Sequence, residues 1–149
     1  MDKKIQTFIS SQKNLTFCTV IDNIPHCANC FYALIEEDNI IVFKSDSNTK
    51  HIINALQNDN IAGTILPDIS KTGMIKGIQF TGIFINPKNE LLKKAKNNYY
   101  KKYPFSKVVP GDFWALELLS IKMTDNTLSF GKKLIWENPS PKASNYKLK

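Results

Sequence analysis

The chain has 149 residues, enough to bury the core of one domain, and its 42% hydrophobic and 22% charged residues exclude a disordered or fibrous protein. No apolar run approaches a membrane span, and Met1-Asp2-Lys3-Lys4 leads into a mixed polar segment and not a signal-peptide core, so a cytoplasmic protein is expected. The formal charge is +7 and every basic residue is lysine, so phosphate can be met by a point charge but not by the arginine fork that usually reads bases and grips phosphate.

Residues 3–13 have the helical spacing of Ile5, Phe8 and Ile9, with Asn14 ending the run. Residues 15–21 are β-rich, Asp22-Asn23-Ile24-Pro25 reads as a turn, and residues 26–36 form the next strand. After Glu37-Asp38-Asn39 a third strand covers residues 40–45, and the short spacings predict an antiparallel meander. A polar turn follows, then a helix over residues 49–58 with Ile52, Ile53 and Leu56 as its apolar face. Residues 60–66 return as a strand, and residues 67–74 form a loop. Residues 75–86 are the longest strand, with Ile78, Phe80 and Phe84 on one face. Its other face carries Gly77, Gln79 and Thr81, small or polar in the middle; either a ligand groove or bulges at Gly77 and Gly82 would account for this.

Asn86-Pro87 predicts the start of a third helix, Asn as cap and Pro in the first position, running to about Tyr103 with Leu91, Ala95, Tyr99 and Tyr103 in line. Residues 112–124 read as a strand and residues 127–136 as a last short segment. Residues 137–149 carry two prolines and no apolar pattern, so the chain reads as a single domain over 1–136 with a flexible tail. Strands dominate, giving a mainly β chain with the makings of a small barrel and three helices.

The polar turn puts Ser45, Ser47, Asn48, Thr49, Lys50 and His51 at the mouth of the second helix. A helix N-terminus offers unpaired N–H groups and partial positive charge, so the turn is a candidate phosphate grip; it also reads as a capped helix with solvated polar residues. Cys18, Cys27 and Cys30 cannot all pair within one chain and are expected to be free thiols. Cys27 and Cys30 point to opposite faces of a strand and a zinc site wants four ligands, so no metal is expected. Asp112 and Glu117 read as surface charges. The lysines of residues 93–102 read as the solvated side of an amphipathic helix more readily than as a nucleic-acid surface.

Five segments carry a family resemblance: His26-Cys27-Ala28-Asn29-Cys30-Phe31-Tyr32, Asn48-Thr49-Lys50-His51, Gly77-Ile78-Gln79-Phe80-Thr81-Gly82, Pro104-Phe105, and residues 124–136 from Thr124-Asp125-Asn126 to Lys133-Leu134-Ile135-Trp136. In this order they resemble the pyridoxamine 5′-phosphate oxidase-like FMN-binding split barrels, and more narrowly their small bacterial branch. The resemblance implies a six-stranded antiparallel split β-barrel and a homodimer with FMN sites at its interface. Ser45, Thr49, Lys50 and His51 match the phosphate grip, Lys44 joins them beside Ser45, Asn29 takes the polar place beside the flavin ring, Gln79 is the candidate for a second ring contact, and Lys133 lies near the chain's substrate end. The chain departs from the oxidase proper: lysine stands for the phosphate arginine, Thr124 for a tryptophan, and Lys132 and Lys133 for an arginine and a histidine. The resemblance therefore implies an FMN-dependent oxidoreductase of another small-molecule substrate, with no catalytic residue named, or a non-catalytic module for flavin, deazaflavin or haem.

Overall fold

The computed structural model describes residues 1–69, 72–126 and 133–142. Strands β1 (Asn14–Ile21), β2 (Ile24–Ile35) and β3 (Ile40–Ser45) form the predicted meander. The two-residue turn between β1 and β2 has Asp22 and Asn23 at φ 50° and 61°, the backbone of a type I′ hairpin whose twist matches its strands. Strands β4 (Asn60–Ile65), β5 (Lys76–Ile85), β6 (Asp112–Asp125) and β7 (Lys133–Glu137) complete one antiparallel sheet in the order β3-β2-β1-β4-β5-β6-β7. A further pairing of β3 with β6 closes the first six into a ring, so the fold is a six-stranded split barrel with β7 added.

The split lies along β6. One edge of this 14-residue strand is shared: residues 112–117 pair with β3, and residues 120–124 pair with β7. Its other edge pairs with β5, with a bulge at Thr81/Gly82 where Leu119 of β6 is the extra residue; Ile78, Phe80, Gly82 and Phe84 are buried in alternation, and Ile85 is buried in the second core. A Cβ on Gly82 would stand 2.4 Å from the Glu117 carbonyl oxygen, so glycine lets the two strands approach at the bend.

The interior is filled by Phe17, Phe43, Tyr32, Ile41, Phe80, Leu116 and neighbours. Helix α1 (Lys3–Ser11), capped by the Asp2 carboxylate, buries Ile5, Phe8 and Ile9 against that core. Helix α2 (Lys50–Gln57) buries Ile52 and Ala55, whereas Ile53 and Leu56 are 45% and 54% exposed. Helix α3 (Asn89–Lys102) starts two to three residues later than Asn86-Pro87 predicts. Pro87 is buried and Lys88 extended (φ −130°, ψ 164°), so the chain stays extended past the proline. The Leu91, Ala95 and Tyr99 face of α3 and Tyr103 beyond it cover Ala33, Ile35, Val42 and Phe113 from outside, a second core over one half of the barrel.

Two further expectations fail. Cys18 and Cys27, directly opposite in the β1–β2 register with Cα atoms 4.1 Å apart, are joined by a disulfide, and of the three cysteines only Cys30 is free. Glu117 is not a surface charge: it is 1% exposed, with Oε1 accepting the Lys142 N–H and Oε2 unpartnered among the described residues. It is covered because the chain after β7 crosses back over β6, with Asn138 donating to the Leu118 and Leu119 carbonyls. Residues 127–132, part of the predicted last segment, and residues 143–149 lie outside the described residues.

Candidate functional site

Among the described residues, no helix lies over the second half of the barrel exterior. Across β2, β1, β4, β5 and β6 it presents two rows in register: Asn29, Thr16, Thr64, Gln79, Lys122, and Cys27, Cys18, Ala62, Thr81, Ser120. Nine of these ten side chains are uncharged, on a chain with one charged residue in about five.

At the edge of this face β3 parts from β2. The two pair only over residues 32–35 of β2, while residues 24–31 pair with β1 alone. Tyr32 N–H donates to the Lys13 carbonyl, so even-numbered residues of β2 turn their backbone groups toward β1. Cys27 and Asn29 therefore direct their N–H and C=O away from β1, to an edge that no strand covers among the described residues. Ser45 stands where β3 leaves β2, and α2 begins five residues on.

The turn draws Ser45, Thr49 and His51 together. His51 Nε2 is 2.7 Å from Ser45 Oγ and 3.1 Å from Thr49 Oγ1, and the two hydroxyls are 3.2 Å apart. Thr49 donates to the Asp46 carbonyl at 2.8 Å, so an imidazole carrying its hydrogen on Nε2 satisfies both contacts. Burial, with His26 nearby adding to it, holds His51 below its ordinary pKa, so the ring is neutral at pH 7. It makes a T-shaped contact with the Phe17 ring, centroids 5.5 Å apart. Thr49 occupies the cap position of α2 without its side chain bonding a helix N–H, which leaves the Lys50 and His51 N–H groups without a protein acceptor among the described residues. Lys50 is exposed in the same turn. Hydroxyls, first-turn N–H groups and a lysine at one helix mouth form a donor set for a phosphate.

The remaining candidates are dispersed. Lys44 turns away: its Nζ donates to the Ser106 and Val109 carbonyls and lies over the Tyr100 and Phe113 rings, tying down the connector that leads into β6. Asn29 accepts from Thr16 Oγ1 at 2.6 Å on the uncovered face. Gln79 is on that face but three strands from Asn29, about 14 Å at ordinary strand spacing. Lys133 is exposed on β7, opposite Thr124. The sequence reading missed Trp114, whose Nε1 donates to the Ser45 carbonyl and fixes the start of the turn, and the bare backbone of Cys27 and Asn29. No side-chain pattern announces an open strand edge.

No family model matches the chain. Among solved structures, a heme binding protein from Mycobacterium smegmatis superposes with a TM-score of 0.77 at 15% identity, covering 91% of this chain and 57% of that one. An FAD-binding protein from Mesorhizobium loti superposes with a TM-score of 0.64 at 14% identity, covering 81% and 91%. At these identities the likeness is one of fold. A UPF0306 protein of Photorhabdus laumondii is 39% identical over 133 residues, covering 89% of this chain and 93% of its own length. With such a likeness running almost end to end, the chain belongs to the UPF0306 family.

Proposed function

We propose that the protein binds FMN, with the phosphate at the mouth of α2 and the ring along the open edge of β2, and acts as a flavin-dependent oxidoreductase on a small molecule. The observation that carries this is the continuity of the two parts: Ser45, Thr49, Lys50 and His51 lie where β3 leaves β2, and the uncovered Cys27–Asn29 backbone begins beside them. Backbone N–H and C=O groups on a strand edge match the alternating acceptors and donor of the flavin pyrimidine. Bound there, FMN supplies hydride or electron transfer. The fold neighbours described as binding FAD and heme are in keeping with a group of this size. Flavin is favoured over haem because His51 Nε2, the atom a haem iron would need, is engaged by two hydroxyls. A deazaflavin carrying a phosphate would use the same donors.

The test is titration of FMN-free protein with FMN. A charge-assisted phosphate contact contributes about 1.5–3 kcal/mol, so Lys50→Ala should weaken binding roughly tenfold or more. Equal affinity in both proteins would remove the phosphate site.

We propose further that a second copy of the chain covers the uncharged face and completes the site. This reading gives Gln79 and Lys133 a place: too far from the α2 mouth within one subunit, they lie on the face that the partner would meet. Light scattering on the flavin-loaded protein at micromolar concentration should give twice the chain mass. A monomer with flavin bound would overturn this. Basic residues of α3 speak against a nucleic-acid role for that helix: Lys94 is bridged to Asp38 and Glu37, and Lys102 bonds the Gln12 carbonyl.

A further inference from the structure

The Cys18–Cys27 disulfide adds less to the fold than a bond closing a long loop would. The β1–β2 register is already set by the two-residue Asp22-Asn23 turn, and the bond spans nine residues of sequence within that same hairpin. In the chain-entropy account, a bond that closes so short a loop stabilises least. Yet the pair holds a particular place. Cys27 contributes backbone to the open edge of β2, its side chain lies on the uncharged face, and Asn29 is two residues away, about 7 Å along the strand.

We propose that Cys18–Cys27 is a redox-active disulfide that exchanges electrons with the flavin held along β2. This rests on the flavin reading above. In the step, the Cys18–Cys27 S–S bond accepts two electrons from the reduced dihydroflavin anion and breaks. The two sulfurs take up two protons, one from the reduced flavin and one from solvent, leaving two thiols and oxidised FMN. The reverse step returns both electrons from the dithiol to the flavin. Cys30 stands outside the exchange: it points into the barrel, and burial pushes its thiol up to about 12, so it offers no competing thiolate. On the face that a second copy would cover, the pair would be shielded from bulk thiols and reached through the bound flavin.

The experiment is an anaerobic dithionite titration of FMN-loaded protein, followed in the flavin absorption bands, with thiols counted by alkylation after denaturation. Wild type should take four electrons per FMN, two for the flavin and two for the disulfide, and Cys27→Ser should take two. Accessible thiols should rise from one to three in wild type. FMN-free protein given the same dithionite should stay at one, since the electrons are to arrive through the flavin. Cys18→Ser gives the same comparison should Cys27→Ser fail to fold, and the thiol count on wild type needs no variant. Full bleaching at two electrons with the count fixed at one overturns the proposal, as do three thiols before any reductant is added or an equal rise without FMN. Failure to bind FMN at all is seen before the titration and overturns the flavin reading along with this step.

Discussion

Loaded with FMN, the protein is expected to oxidise pyridoxamine 5′-phosphate at least about a thousandfold more slowly than an ordinary enzyme turnover of ~1 per second. The reason lies in what a phosphorylated substrate would need besides the flavin. Its own phosphate requires a second anion site, and rate depends steeply on holding the reacting carbon against the ring; poor positioning alone can cost several orders of magnitude. The chain has no arginine, and no histidine follows His51. Of the two lysines that stand near the substrate end, Lys133 is exposed on β7 and Lys132 lies outside the described residues. A lysine supplies charge but not a two-pronged grip. Oxygen consumption by FMN-loaded protein with pyridoxamine 5′-phosphate measures this directly. Turnover near one per second would mean that lysine alone can position the substrate, and the reading of a different small-molecule substrate would fall.

The second large effect is expected in the core under the phosphate turn. Phe17 is fully buried, packs at a tilt on Phe43 with centroids 5.2 Å apart, and makes a T-shaped contact with His51 with centroids 5.5 Å apart. Removing a buried phenyl ring costs about 3–5 kcal/mol through lost transfer energy and the cavity left behind. Phe17→Ala should therefore lower the melting temperature by about 10 °C or more. It should also weaken FMN binding, because His51 loses the ring that seats it against Ser45 and Thr49. Phe31→Ala, at a half-exposed position, is the comparison and should shift melting far less. Thermal unfolding of both variants, with and without FMN, checks the pair of statements. A Phe17→Ala protein that melts within about 2 °C of wild type would show that the ring does not carry the turn.

The disulfide was within reach of the sequence. Cys18 and Cys27 are equidistant from the Asp22-Asn23 turn, so a hairpin there sets them opposite one another; treating the three cysteines by compartment and not by register hid this. The misplaced start of α3 is a different kind of error. Asn-Pro is a sound local start signal, but Pro87 is buried, and burial outweighs a capping preference of about 1 kcal/mol.

What the sequence determined by itself is what depends on near neighbours. The alternation of apolar residues in β1 and β5, the Leu91, Ala95 and Tyr99 stripe of α3, and the cluster of Ser45, Thr49, Lys50 and His51 about one helix start are all set within a few residues, where backbone geometry fixes which side chains can meet. What the tertiary structure decided depends on ring closure. Only when β3 pairs with β6 does it leave β2 at residue 32 and bare the Cys27–Asn29 edge; only when the chain after β7 crosses β6 is Glu117 buried; and only the order β2-β1-β4-β5 sets Gln79 three strands from Asn29. Side-chain periodicity says which face of a strand is apolar, but the hydrogen-bonding edge of a strand looks the same for every sequence, so its partner is chosen by the closure of the whole barrel.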